Sequence, residues 1–345
     1  MKEENIFSVD NTSILDIQCQ GAITVANLKH NSIKADLISI HKAIENNLVI
    51  VKEIDGEESV NHIEVINKSN SLILILDGDI LKGAKQNRVS NTSILIDSKQ
   101  KVIIPVSCVE QGRWRYNSNK FSSSSEIAHK KIREQKNRDI YSAKLIHNST
   151  FEANQSNVWN SVSHCSMDLC SSSPTSSHSD AFESNRKKFI KMTDSLKPNN
   201  DANGLAYFID GKLMGVEIFN NNQIYSDYYD KMKMAIAMEA EIKSKKSSTN
   251  QSVNNYDAFE AICLASNNYN NNLDRVIKSK GVCLGEEHRL ITDVDNLSRN
   301  YYDLTYNTST IHQSILISQD DDGQDGEETK DVNIPTDRKK WHLFG

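Results

Sequence analysis

The stretch LAYFIDGKLMGVEIF, residues 205–219, decides the fold class of this chain. Two mainly apolar runs, 205–209 and 212–219, flank the dipeptide Asp210-Gly211. That dipeptide readily adopts the positive φ angles of a two-residue type I′ turn. The stretch therefore predicts an antiparallel hairpin.

Upstream of this hairpin the sequence indicates mostly strands. The continuous apolar run LILIL at 72–76 is typical of a strand that is buried on both faces. One early helix is predicted at 35–47, where apolar residues recur at helical spacing. Alternating or β-branched residues predict further strands at 48–52, 61–66, 93–96 and 102–109.

Two longer helices are predicted, at 126–144 and 225–243. The charges of the first indicate a solvated face, and the methionines of the second indicate core packing. Strands and then helices, without regular alternation or internal repeats, favour an α+β fold. We expect a largely antiparallel β-sheet or sandwich core with flanking helices.

Composition divides the chain into one large domain at 13–317 and two polar ends. Residues 1–12 are expected to be flexible, and the acidic residues 318–345 to form a disordered tail. Within the domain we expect a Ser-rich low-complexity loop at 171–180 and a polar linker at 243–255. The last segment, with Trp341 and Phe344, either docks back on the domain or trails from it.

The bulk properties exclude several classes of protein. The net charge is −6, with 46 acidic and 40 basic residues, which argues against nucleic acid as a partner. No apolar run reaches the roughly 20 residues of a membrane span. The N-terminus lacks a secretory apolar stretch, and the six scattered cysteines do not form a disulfide pattern. We therefore expect a cytoplasmic protein, with a zinc site at Cys165 and Cys170 as an open alternative.

Polar side chains concentrate in two stretches, DGDILKGAKQNRVSNTS (77–93) and IPVSCVEQGRWRY (104–116). The first directly follows the buried strand at 72–76, a common place for functional groups. In the second, two-residue periodicity places Cys108 and Glu110 on one face of a strand. A thiol beside a carboxylate suits a nucleophile and base. Free cysteines are nevertheless among the most buried residues and commonly pack as small hydrophobes.

Arginines near this pair suit two different roles. Arg88, Arg113 and Arg115 can neutralise a buried Glu110, and they can also bind phosphate through two hydrogen bonds. Trp114 and Tyr116 can stack on a base or pack internally. The sequence contains no Walker loop, no dinucleotide-binding glycine motif, no H-E-x-x-H and no G-x-S-x-G.

The run at 76–114, with LDGDILKGAKQNR, NTSIL and IPVSCVEQGRW, resembles the signature of the ARG and rhodanese-phosphatase-superfamily-associated protein family. Weaker stretches extend the resemblance over about 15–317. Asp79 stands where the family pattern has glutamate, and the region around His312 departs from the expected apolar-aromatic ending. The weaker stretches are QSNVW (155–159), MGVEIF (214–219), GEEHR (285–289) and STIHQSILI (309–317).

The resemblance implies a role around ADP-ribose or another NAD-derived nucleotide, because the family is named for its association with ADP-ribosylglycohydrolases. Glu110 and Cys108 are the expected catalytic residues of a hydrolase or transferase. Mg²⁺ held by Asp77, Asp79 and Glu110 is an option, although no metal motif is present. The expected ligand-binding residues are Asp77, Lys85, Gln86, Asn87, Arg88, Gln111 and Arg113.

Two alternatives stay open at this point. In one, the protein is a non-catalytic sensor or interaction module, and the same residues form a structural polar network. In the other, basic residues at 131–138 bind RNA.

Overall fold

A computed structural model describes residues 11–54, 61–113, 118, 120–147, 150–244 and 251–319. Six α-helices are present in these ranges. They are α1 (Ile40–Glu45), α2 (Lys130–His147), α3 (Gln155–Asp168), α4 (His178–Thr193), α5 (Asn222–Ser244) and α6 (Asn255–Asn270). None of the described helices is long and apolar enough to cross a membrane.

The strands form three sheets. The largest has eight strands in the order β1-β2-β12-β13-β17-β16-β15-β14, and every neighbouring pair in it is antiparallel. Its strands are β1 (Thr12–Gln20), β2 (Ile23–His30), β12 (Gly204–Ile209), β13 (Lys212–Phe219), β14 (Ile277–Lys280), β15 (Glu286–Val294), β16 (Leu297–Tyr306) and β17 (Ser309–Gln319).

Two smaller sheets carry the polar stretches singled out in the sequence. A six-stranded antiparallel sheet has the order β11-β7-β8-β10-β5-β4, and a three-stranded sheet has the order β3-β6-β9. Only β3 and β6 pair in parallel among the described strands. The strands are β3 (Leu37–Ser39), β4 (Val49–Lys52), β5 (His62–Asn67), β6 (Leu72–Ile75), β7 (Asp79–Gly83), β8 (Arg88–Ser90), β9 (Ile94–Ile96), β10 (Lys101–Cys108) and β11 (Phe121–Ile127).

The predicted hairpin is confirmed, and it lies near the middle of the large sheet. Asp210 and Gly211 have φ angles of 49° and 78°, as a type I′ turn requires. At Gly215 a Cβ atom would come within 2.5 Å of the Tyr207 ring, so only glycine fits this close approach.

The large sheet is covered on both faces, and alternate residues of β12 point to opposite sides. Leu205 and Tyr207 join the core formed with α4 and α5, whereas Ala206 and Phe208 join a core formed with α6. A third core lies between the two smaller sheets. The fold is α+β and largely antiparallel, as predicted.

Three local predictions differ from the structure in their bounds. The segment predicted as a helix at 35–47 begins with β3, because its first apolar residues pair with β6, and only Ile40–Glu45 is helical. The predicted helix at 126–144 starts at Lys130, and β11 precedes it. The Ser-rich stretch at 171–180 is partly helical, since α4 begins at His178, which is fully buried.

Other predictions stay untested because they fall wholly or partly outside the described residues. These are the flexible N-terminus, the central part of the linker at 243–255 and the acidic tail.

Candidate functional site

The structure divides the predicted constellation into two buried clusters. The loop between β7 and β8 meets the residues around the end of β10 in a motif cluster. Asp77, which precedes β7, belongs to a separate Asp77 network. The motif cluster comprises Gln86, Asn87, Arg88, Cys108, Glu110 and Arg113. The Asp77 network comprises Asp77, Ser93, Arg133, Lys136, Glu217 and His312.

In the motif cluster, the Glu110 carboxylate is held by donors from three segments of the chain. Nη2 of Arg113 lies 2.7 Å from Oε2, and the backbone N–H of Asn87 donates to the same oxygen at 3.2 Å. The Thr175 hydroxyl donates to Oε1 at 3.1 Å. Glu110 is only 6% exposed, so these internal partners satisfy a charge that would be costly to bury alone.

Arg113 also fixes the turn that carries the motif. Its guanidinium donates to the carbonyls of Gly83 and Ala84 at 3.2 and 2.8 Å and to the Asn87 side chain at 3.2 Å. Ala84 has a positive φ of 46°, a conformation that non-glycine residues adopt rarely. Arg113 therefore stabilises a turn that the local sequence does not favour by itself.

The Cys108 thiol lies between Gln86 and Arg88. Sγ donates to Oε1 of Gln86 at 2.9 Å, and Nη1 of Arg88 contacts both the sulfur and that oxygen. Burial raises the pKa of Cys108 to about 11, even though the Arg88 charge acts in the opposite direction. A thiol with this pKa is almost entirely protonated at neutral pH and is a poor nucleophile.

Two of the predicted ligand-binding residues lie at the rim of the motif cluster. Lys85 is half-buried and Gln111 is exposed, whereas Gln86 and Arg88 are each 1% exposed. The Lys85 backbone N–H donates to Glu53 at 3.3 Å. The predicted stacking residues Trp114 and Tyr116, and Arg115, lie outside the described residues.

Asp77 is bound by the basic face of α2. Nζ of Lys136 lies 2.6 Å from Oδ1, and Nε of Arg133 lies 3.3 Å from Oδ2. Asn137 donates to Oδ2 at 3.3 Å. Burial by itself raises the pKa of Asp77, but Lys136 and Arg133 outweigh it and hold this pKa below its usual value. Asp77 is therefore an ionised centre of a buried ion-pair network.

Glu217, His312 and Ser93 complete this network in a line. His312 contacts Oε2 of Glu217 through Nε2 at 2.9 Å and Oγ of Ser93 through Nδ1 at 2.9 Å. This is the connectivity of a nucleophile, base and carboxylate. Arg133 nevertheless holds the other Glu217 oxygen at 2.6 Å, and Ser93 is 1% exposed. In this conformation the Ser93 hydroxyl cannot meet a substrate.

A further ion pair from the weaker motif GEEHR lies against the same helix. Arg289 binds Glu287 at 3.0 Å through Nε and Nη2 and donates to Asn137 at 2.7 Å. Lys144 lies 3.2 Å from Glu287, and Arg289 stacks 4.7 Å from the Tyr302 ring centroid. Stretches that are far apart in the sequence thus converge on α2.

The three carboxylates considered for Mg²⁺ have separate partners. Asp79 accepts from the Tyr228 hydroxyl at 2.6 Å and from the Leu76 backbone at 2.8 Å, whereas Asp77 and Glu110 belong to different clusters. Throughout the described ranges, no group of three or more His, Cys, Asp or Glu side chains could hold a metal ion. This finding also covers the zinc alternative at Cys165 and Cys170.

The prediction that the α2 charges face solvent was wrong. Arg133 and Lys136 are 5% and 0% exposed, because they neutralise the buried carboxylates of Asp77 and Glu217. The same burial removes both groups from contact with RNA phosphates. The spacing in the sequence does indicate this buried face. Four residues recur every three or four positions and therefore lie on one side of the helix: Arg133, Lys136, Ile140 and Lys144.

One small cavity lies beside the Asp77 network. This cavity of about 20 Å³, lined by Arg133, Tyr207 and Glu217, has room for about one water molecule. Two larger cavities lie elsewhere: an apolar one of about 310 Å³ beside α6, and a polar one of about 350 Å³ around His30 and Asn220.

The comparisons with known proteins identify the sequence motif. The chain matches the family model of the ARG and Rhodanese-Phosphatase-superfamily-associated Protein domain over residues 11–316. No curated protein and no solved structure matches it.

Proposed function

This chain belongs to the ARG and Rhodanese-Phosphatase-superfamily-associated Protein domain family, and on that premise we propose that it is a non-catalytic binding module. The observation that carries this proposal is the closed set of partners around Glu110 and Cys108. The carboxylate is held by Arg113, Asn87 and Thr175. The thiol is buried, with a pKa of about 11. Both groups are better suited to holding the fold than to attacking a substrate.

For the ligand we propose ADP-ribose or a related NAD-derived nucleotide. The family's association with ADP-ribosylglycohydrolases supports this class by analogy. We expect Lys85 and Gln111, which lie at the rim of the motif cluster, to contact a phosphate and a ribose or base edge. Phosphate contact by Arg88 would instead require this buried side chain to leave Gln86 and Cys108.

Thermal unfolding with and without ADP-ribose, NAD and ADP tests this proposal. Ligand at about 100 times its Kd should add roughly 2.7 kcal/mol to the free energy of unfolding and raise Tm by a few degrees. The Lys85→Ala and Gln111→Ala variants should lose this increase when each is compared with its own ligand-free Tm.

Two further variants test whether the contacts of Glu110 stabilise the fold in the absence of ligand. Glu110→Gln leaves Arg113 without its carboxylate and should lower the stability of the ligand-free protein by about 3–5 kcal/mol. Thr175→Ala removes one hydrogen bond to the same carboxylate and should cost about 1 kcal/mol.

Chromatography of the same mixtures tests the absence of catalysis. We expect the nucleotides to be recovered unchanged after prolonged incubation. Turnover that is lost in Cys108→Ala or Glu110→Gln at a temperature where both variants are folded would overturn the non-catalytic assignment. An unchanged Tm with all three nucleotides would reject the ligand class.

A further inference from the structure

Helix α6 and the large sheet enclose an apolar groove, which we call the α6 groove. It has a volume of about 310 Å³, and its walls include Leu213, Met214, Ala261, Leu264, Leu297 and Ile317. Leu264 is 62% exposed, although it stands on a helix whose opposite side is packed into a core. Contiguous exposed apolar surface is a common place for a binding partner.

The last residue of the described structure, Gln319, lies at this groove. β17 ends at Gln319, which lines the groove and accepts a hydrogen bond from Nζ of Lys212 at 3.3 Å. The sequence continues with Asp320, Asp321 and Asp322, and the apolar group WHLF follows at 341–344. A polar, acidic stretch thus connects the groove to a short aromatic segment.

Charge at the groove favours this acidic stretch over other neighbours. Lys212 and Arg299 both line the groove. Nη1 of Arg299 is buried and has no hydrogen-bond partner among the described residues. A buried guanidinium nitrogen without a partner is costly, and the aspartates at 320–322 are the first carboxylates to follow β17.

We propose that residues 341–344 of the same chain bind in the α6 groove, with the aspartates at 320–322 pairing with Lys212 and Arg299. The connection is long enough, because a chain of about 20 residues can span about 25 Å without being fully extended. Tethering also gives an effective concentration on the order of millimolar, so even weak apolar contacts are occupied.

Hydrogen–deuterium exchange on the full chain, followed by mass spectrometry of the peptide that covers 341–344, tests this proposal. In the wild type we expect exchange at least about 10-fold slower than in the free peptide. Leu264→Arg places a bulky charge in the groove and should return exchange to the free-peptide rate. The control is Phe259→Arg on the same helix, since Phe259 is 45% exposed and does not line the groove.

Dilution distinguishes the two possible sources of the bound segment. Protection that is unchanged after 20-fold dilution, and unaffected by Phe259→Arg, supports binding within one chain. Protection that falls on dilution would mean that a second copy supplies the segment and would overturn the proposal. Free-peptide exchange in the wild type, or equal protection in a folded Leu264→Arg variant, would overturn it as well.

Discussion

Cys108 shows how the surroundings of one residue decide its chemistry. Its sulfur contacts a guanidinium, which normally favours the thiolate. Burial outweighs that charge and raises the pKa to about 11. Gln86 contacts both the Cys108 thiol and the backbone carbonyl of Glu110, although β10 ends at Cys108. The sequence could not reveal the burial, which depends on α3 and on the segment around Thr175 that cover this end of β10.

We therefore predict that Cys108 is nearly inert towards iodoacetamide in the folded protein at pH 7. A pKa of about 11 lowers the thiolate fraction by about 300-fold relative to an ordinary cysteine. Mass spectrometry of the labelled peptides should show Cys170, which is exposed, modified at least about 100-fold faster. In denaturant the two rates should become similar. Comparable labelling rates of Cys108 and Cys170 in the folded protein would contradict this prediction and support a catalytic role for Cys108.

Among the helices and strands, α2 supplies the basic side chains that neutralise the buried carboxylates of the Asp77 network. Its position was predicted to within a few residues at each end, but its orientation was not. Periodicity identifies which residues share a face, yet it cannot say whether carboxylates from distant strands will meet that face. Asp77 lies in the turn between β6 and β7, whereas Glu217 lies in β13 of the large sheet. Both carboxylates pair with Arg133, and only their tertiary positions turn the basic face of α2 inward.

The pair of Asp77 and Lys136 allows a direct measurement of this dependence. Asp77→Asn should lower the free energy of unfolding by about 3–5 kcal/mol, because it leaves a buried ammonium uncompensated. Adding Lys136→Met removes that ammonium, so the double variant should be more stable than Asp77→Asn alone. Urea denaturation of the wild type, both single variants and the double variant gives the coupling energy.

A surface ion pair between α2 and β15 is the control for this cycle. Arg138 and Asp293 lie 2.9 Å apart, with side chains that are 37% and 52% exposed. Asp293→Asn should cost less than about 1 kcal/mol. If Asp77→Asn and Asp293→Asn lowered the free energy of unfolding by similar amounts, burial would not increase the contribution of the Asp77 network to stability.

At the scale of the whole molecule, the sequence predicted the fold class but not the order of the strands. The hairpin at Asp210-Gly211 could be predicted from the sequence, because the turn dipeptide lies directly between the two strands that it joins. The pairing of β13 with β17 joins strands almost 100 residues apart. No turn residue encodes such a contact. It follows from the burial of both sheet faces beneath α5 and α6.

Buried neutral histidines make the molecule sensitive to acid. His178, at the start of α4, accepts a hydrogen bond from the backbone N–H of His129 through Nε2 at 3.2 Å. Burial lowers the pKa of His178 to about 4, Lys82 and His129 act in the same direction, and Glu126 opposes them. Burial also lowers the pKa of His41 to about 4. The folded protein thus stays unprotonated at both sites while the unfolded chain binds protons near pH 6.5.

We predict that the free energy of unfolding falls as the pH decreases from 6.5 to 4.5, since the unfolded state binds more protons throughout this range. His178 alone should contribute a slope approaching about 1.4 kcal/mol per pH unit below its unfolded pKa. Urea denaturation at several pH values should show a shallower slope for His178→Gln, whose side-chain oxygen can still accept the His129 hydrogen bond. His164→Gln is the control, because His164 is exposed, and its slope should equal that of the wild type. An unchanged slope in His178→Gln would contradict this prediction. It would show that the His178 imidazole is already protonated in the folded protein, as an ion pair with Glu126 requires.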